Sequence, residues 1–316
     1  AVYGANLRDS AEVKKGGVRI DDTEMSLFDG SGMDEMFGKY VEYVYREETD
    51  GTYTLLYAEP VKSRSDELVI SADLIHSFDT ANFRLRYYKT EEKSSTAYRD
   101  IEKGIQVVYN GYPFGGNLAD VMKDFAEGKM RGSVRLLNSG DGADCNLMII
   151  KSYSVFIAGN YDGYNNILYS IDASRTINLD NYDILIIRDV YGNESQLPSD
   201  MPSVFNVAES EDGRYAEFIV CRGKKEGRLD KFDLEEETAV IGGETVKVGK
   251  NAIDDFALLN IGADVTAVPD SFGYIVRVQA GGEDMRVVYA MKVKSRDEYD
   301  SKFCMTVYEQ DKAFHL

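Results

Sequence analysis

Val204-Phe205-Asn206-Val207, then Asp212-Gly213, then Tyr215-Ala216-Glu217-Phe218-Ile219-Val220-Cys221 is the stretch on which the fold turns. Two short runs rich in β-branched and aromatic residues are separated by an Asp-Gly step. Alternation with period two places one side of each run on a core, and Asp-Gly supplies the reversal, so the stretch predicts an antiparallel hairpin. The pattern recurs three times. Val41 to Arg46 and Tyr53 to Tyr57 flank Asp50-Gly51, Val134 to Asn138 and Leu147 to Ile150 flank Gly140-Asp141-Gly142, and Val265 to Val268 and Tyr274 to Val278 flank Phe272-Gly273.

Gly38, Gly132 and Gly262 precede the first strand of three of these hairpins at a similar offset. The segment Phe37 to Val44 aligns with Ile261 to Val268, and short strands lie upstream of each, Val18 to Ile20 and Thr245 to Val248. Residues 1–75 and 225–316 therefore read as two copies of one small β-unit, which favours tandem modules over one large catalytic core. One helix stands out: Asn117 is its N-cap, Asp120 lies in its first turn, Leu118, Val121, Met122 and Phe125 share a face, and Gly128 follows it. Shorter turns of helix are expected at Ser31 to Phe37 and Asn251 to Leu259. Gly111 to Gly116, Gly159 to Asn166 and Pro198 to Pro202 read as loops.

The expected fold is mainly β, α+β in part: tandem small antiparallel barrel or sandwich modules with one well-defined helix. Boundaries near 76, 156 and 225 give a β-module at 1–76 and an α+β module at 77–156 that holds the helix at 117–128 and is open to insertion in another. A β-module at 157–224 can complete the first, and a β-module at 225–316 is similar to it.

Composition bounds the function. The 316 residues carry 36 Lys and Arg against 55 Asp and Glu, a net charge of −19, with 43% hydrophobic residues, two His and no Trp. The chain can bury real cores. Its acidity argues against nucleic acid and anionic membrane surfaces, since phosphate binding needs clustered Lys and Arg. No apolar run approaches the ~18–20 residues of a membrane helix. The chain begins at Ala1, which is compatible with removal of a secretion signal. Cys145, Cys221 and Cys304 are few, odd in number and without Cys-x-x-Cys spacing, so they read as small buried hydrophobes.

Motifs for catalysis are sparse. His76, at a strand end, and His315, the penultimate residue, are the only histidines, too few for a His-rich metal centre. Gly32 to Gly38-Lys39-Tyr40 has the wrong spacing for a phosphate loop, and Gly30-Ser31-Gly32 lacks the third glycine of a dinucleotide turn. Asn138, Asp141 and Asp144 form the one candidate metal site, a calcium loop whose alternate positions are the glycines 140 and 142. Its alternative is a tight glycine-rich turn. Tyr43, Tyr45, Tyr53 and Tyr57, or Tyr161, Tyr164 and Tyr169, could stack on sugar rings or simply pack across strands.

Gly132 to Asp144, followed by Leu147-Met148-Ile149-Ile150-Lys151-Ser152-Tyr153-Ser154-Val155, resembles a segment recurring in large surface proteins of clostridia and related Firmicutes, those that carry S-layer homology domains. There a Gly-x-Val-x-Leu strand leads through an Asp/Asn/Gly-rich turn into a second strand ending in Tyr. Leu68 to Ile75, Ile105 to Gly111, and Gly227 through Val240–Val248 to Val276 fit the same pattern. The resemblance implies a repetitive β-module region of a cell-envelope protein, located extracellularly at the cell surface, beside the wall-anchoring part. S-layer homology repeats are themselves helical and usually carry Trp, so any anchor lies elsewhere. The expected function is a non-catalytic structural or spacer region with no catalytic residues and no cofactor beyond calcium. Its partners are cell-wall or S-layer components and other modules of the same parent chain, without nucleic acid or membrane insertion. The alternative is a carbohydrate or cell-wall polymer binding module, and the third reading a glycan-active hydrolase, which needs two facing carboxylates roughly 5–10 Å apart.

Overall fold

A computed structural model describes residues 16–20, 23–27, 36–61, 66–138 and 144–281, with strands at 289–295, 303–309 and 312–315. The chain divides into two compact units, Ala1–Gly223 with Val268–Val276, and Lys224–Ala267 with Arg277–Leu316.

The first unit opens with β1 (Gly17–Ile20), β2 (Thr23–Leu27), β3 (Val41–Glu47) and β4 (Tyr53–Pro60), a sheet in the order β1-β2-β4-β3. There follow β5 (Asp66–Ser71), β6 (Ile75–Asp79), β7 (Arg84–Tyr88), β8 (Thr96–Tyr109), β9 (Tyr112–Pro113), α1 (Leu118–Ala126), β10 (Arg131–Asn138), β11 (Cys145–Asp162), β12 (Ile167–Ser170), β13 (Thr176–Asn178), β14 (Ile184–Asp189), β15 (Ser203–Glu209) and β16 (Tyr215–Cys221). These twelve strands make one sheet whose path is β14-β16-β15-β11-β8-β7-β6, with β10 joining β11 to β5.

The organising element is β11, 18 residues long. Its first half pairs antiparallel with β10 and parallel with β8, and its second half pairs antiparallel with β15 and β12. Alternation sorts its side chains. Met148 and Ile150 enter a core with Val134, Leu136, Ile70 and Leu85, closed by Met122 and Phe125 of α1. Further along, Phe156 joins Phe205, Phe218 and Leu168 in a second core. On the other face, Leu147 and Ile149 pack with Leu137, Val108 and Phe37. α1 begins as expected, Asn117 Oδ1 accepting from the Ala119 N–H at 3.1 Å, and it links β9 to β10, which turns back into β11, parallel to β8.

The second unit holds β17 (Lys225–Asp233), β18 (Thr238–Ile241), β19 (Glu244–Lys247), the short helix α2 (Ile253–Ala257) and all of β20 (Asp264–Pro269) and β21 (Ile275–Ala280) except residues 268–269 and 275–276, in the sheet order β19-β18-β17-β20-β21, with Phe232 stacked on Phe256. Strands β22 (Tyr289–Ser295), β23 (Phe303–Glu309) and β24 (Lys312–His315) form a three-stranded sheet.

The protein is mainly β, as its sequence predicts, and the four hairpins occur where expected. Three expectations are corrected. Among the described residues there is no closed barrel, and the largest element is one mixed sheet. The boundary at 156 falls inside β11, and Gly159 to Asp162, read as loop, are its last four residues. The copies at 1–75 and 225–316 differ in topology. In the first the second hairpin strand, β4, lies inside the sheet, whereas in the last the first strand, β20, does.

The repetition lies instead in the turns. Asp79 and Asp162 each accept from the N–H groups two and three residues on and from an Asn side chain three residues on, and each turn ends in a left-handed residue, Phe83 (φ 50°) or Asn166 (φ 55°). Ser170/Asp172 and Ser210/Asp212 share a second design. The Ser hydroxyl donates to the Asp at 2.6 Å and accepts the N–H five residues on, while the Asp takes the N–H two residues on. Many carboxylates are thus spent on local turn chemistry.

The segment Val268–Val276 completes the first unit. Val276, fully buried, packs with Val204 and Cys221, and Asn206 Oδ1 accepts from the Ser271 N–H at 2.8 Å. Asp270, whose side chain is fully buried, caps its own turn by accepting from the N–H groups of Phe272 and Tyr274. It faces Arg131 Nε at 3.4 Å, and the Arg131 guanidinium lies 3.9 Å over the Tyr274 ring.

Candidate functional site

Where β11 changes partners, the face opposite α1 opens into a cleft of about 490 Å³ within the first unit. Strand parity fixes its lining. Ile149, Lys151 and Tyr153 are alternate residues of β11, and Arg135 pairs with Ile149 from β10. On the far side Ile186 and Arg188 of β14 register with Glu217 and Ile219 of β16, and Ala208 of β15 with Glu217. The β8–β9 turn, Asn110-Gly111, and the Phe37–Lys39 segment complete the wall.

Asn110 sets the turn. Its backbone is left-handed (φ 47°), and its side chain, 6% exposed, donates to the Ser152 and Glu209 carbonyls at 3.1 and 2.7 Å and accepts from the Ser152 N–H at 2.8 Å. It therefore ties the end of β8 to β11 and β15 at the point where the cleft begins.

The charges form two groups. Lys39 Nζ and Arg135 Nη2 both reach Glu67 at 2.6 Å. Burial raises the Glu67 pKa, but hydrogen bonds from Lys39 and Arg135 outweigh it and hold this carboxyl below its ordinary value. Across the cleft Glu217 takes Arg188 Nε at 3.2 Å and the Tyr153 hydroxyl at 3.0 Å. Burial, then the Glu217 charge, pushes the Tyr153 and Tyr215 phenols far up, so both stay protonated donors. Lys151 makes no ion pair among the described residues. Tyr112 stands 5.8 Å from Tyr215, ring to ring, at the rim.

None of Asn138, Asp144, His76, Cys145, Cys221 and the candidate sugar-stacking tyrosines lies in this cleft, whereas Lys39, whose loop has the wrong spacing for a phosphate loop, does. Asn138 ends β10, Asp144 directly precedes β11, and Asp141 lies outside the described residues. No group of three His, Cys, Asp or Glu placed to hold a metal occurs among the described residues. The hairpin tyrosines do not form a flat platform: Tyr45 is tilted 35° from Tyr43 and meets Tyr53 edge-on at 77°. Tyr57 donates to Glu59, and Tyr161 donates to Asn166. Tyr164 is 95% exposed. His76 Nδ1 lies 2.9 Å from the Ser77 hydroxyl, beside the Tyr88 ring. Cys145 and Cys221 are buried free thiols, and burial pushes the Cys221 thiol up to about 12. The side chains of Cys304 and His315 lie outside the described residues.

A signal for the cleft does exist in the sequence. Arg135 and Glu217 are single charges inside otherwise apolar runs, as in Val134-Arg135-Leu136-Leu137 and Ala216-Glu217-Phe218-Ile219. A charge in a strand buried on both faces needs a partner or a ligand. The chain matches no family model, no curated protein and no solved structure. No helix among the described residues is long and apolar enough to cross a membrane.

Proposed function

We propose that the chain is a non-catalytic binding region of a bacterial cell-surface protein, in which the first unit holds a cell-wall polymer or other carbohydrate in its cleft. The observation that carries this reading is a concave face of about 490 Å³ joining aromatic walls to convergent charged groups, the size and make-up of small-ligand sites. The extracellular setting rests on the resemblance of the Gly132–Val155 segment. The non-catalytic character is supported by the state of Glu67. A glycosidase acid needs a raised pKa, whereas Glu67 is held down by two cations.

The test is co-sedimentation with Gram-positive cell walls and a panel of insoluble polysaccharides, with and without calcium. Saturable pelleting on one material is expected, weakened about 5–10-fold by Tyr112→Ala at the cleft rim, in the range of one lost aromatic contact. Tyr164→Ala, a control at an exposed turn, should bind as the parent does. Pelleting on nothing, or pelleting indifferent to Tyr112→Ala, overturns the proposal. A rigid spacer is the second reading, favoured by the aspartate-braced turns.

A further inference from the structure

The charge balance of the cleft points to a class of ligand, an inference that rests on the binding reading above. Its lining carries Lys39, Arg135, Lys151 and Arg188 against Glu67 and Glu217, four cations to two carboxylates, in a chain whose net charge is −19. Such a chain repels anions at long range, so a local positive surplus runs against its average field. The surplus is sheltered at Lys39 and Arg135 and open to solvent at Lys151. The side chains of Lys39, Glu67, Arg135 and Glu217 are only 15%, 23%, 20% and 13% exposed.

Glu67 is shared by two cations and Glu217 is matched by Arg188, while Lys151 has no carboxylate among the described residues. An incoming anion would supply the missing charge. The two glutamates still offer lone pairs, which suit a ligand that also carries hydroxyl donors. Tyr112, Tyr153 and Tyr215 supply ring surface between these groups.

We propose that the cleft binds an acidic saccharide, a polyhydroxylated ring bearing a carboxylate or phosphate, with its acid group at Lys151 and its hydroxyls toward Glu217. Carboxylate and phosphate share this chemistry, and the arms of the experiment separate them.

Calorimetric titration at low ionic strength would compare digalacturonate with neutral digalactose, and glucose 6-phosphate with glucose and with inorganic phosphate alone. The expected result is at least about tenfold tighter binding of one acidic saccharide than of its neutral counterpart, with most of that difference lost in Lys151→Gln and on adding salt. Lys151 is exposed, so an unchanged melting curve would establish that the variant is folded. Equal affinity for acidic and neutral saccharides, indifferent to Lys151→Gln, overturns the anion inference and leaves the binding reading standing. Inorganic phosphate binding as tightly as glucose 6-phosphate, with no digalacturonate binding, overturns the saccharide assignment. No soluble ligand binding, together with pelleting that ignores Tyr112→Ala, overturns both.

Discussion

Asn110 shows how one side chain can decide a local architecture. The β8–β9 turn demands a left-handed residue there, and the Asn amide satisfies three backbone groups of β11 and β15 that would otherwise be buried without partners. Asn110→Ala strands those groups and adds left-handed strain, so the protein should lose about 3–4 kcal/mol in urea denaturation. Asn110→Gly keeps the turn but not the amide and should recover about 1 kcal/mol of that. Equal stability of the Asn110→Ala variant and the parent chain would refute the account. Gly132 is a second such position: its φ is 123° and a Cβ would lie 2.0 Å from the Lys151 carbonyl, so β10 can run beside β11 only with glycine there. The sequence marks Gly132 as the residue before a strand, but the reason for it, a backbone contact with a residue 19 positions on (151 − 132), is not local and cannot be seen in the hairpin pattern.

At the level of elements, turn chemistry gives several of the aspartates a structural role. Asp172 accepts from the hydroxyls of Ser170 and Ser174 and from the Ser174 N–H, which pulls its pKa down to about 2; Asp79, Asp162, Asp189 and Asp212 are lowered through similar bonds. An unfolded aspartate titrates near ~3.9. Because the folded values lie lower, these turns stabilise the fold fully above about pH 4 and lose that contribution as pH falls toward about 2. Asp270 acts in the opposite sense, since burial raises its pKa. The many turns should outweigh it. The melting temperature is expected to be level from neutral pH to about 5 and to drop steeply below 4; a flat melt down to pH 2 would contradict this. Hairpins were legible because they are local, each strand, turn and partner lying within about twenty residues. The length of β11 was not, because Lys151 and Ser152 look like the end of an apolar run. They are instead the place where one strand passes between two sets of neighbours.

For the whole molecule, the parallel pairings β2–β4, β8–β11 and β14–β16 carry most of what the sequence concealed. Parallel neighbours need a crossover, and nothing in a local pattern says which strand the chain returns to. The cleft was hidden for the same reason: Lys39, Arg135, Lys151, Arg188 and Glu217 come from separate strands and loops. Only Arg135 and Glu217, single charges in otherwise apolar strands, could have been flagged by type. The first unit is also discontinuous, and this is testable. A chain ending at Gly223 lacks Val276 beneath Val204 and Cys221 and leaves Arg131 buried without Asp270. Loss of one member of a buried ion pair costs ~3–5 kcal/mol, before the packing loss is added. The 1–223 fragment should therefore unfold at markedly lower urea than the same cores in the full chain, followed by fluorescence of its tyrosines. Matching midpoints would show that 268–276 contributes nothing to the first unit.

The late return of Val268–Val276 also orders events on the ribosome. Asp270 is made 139 residues after Arg131 (270 − 131), an interval of about 7–28 s at ~5–20 residues per second. Throughout it Arg131 has no Asp270 to face, so the sheet around it holds only the lower stability expected of the 1–223 fragment until the second unit's first strands have been synthesised.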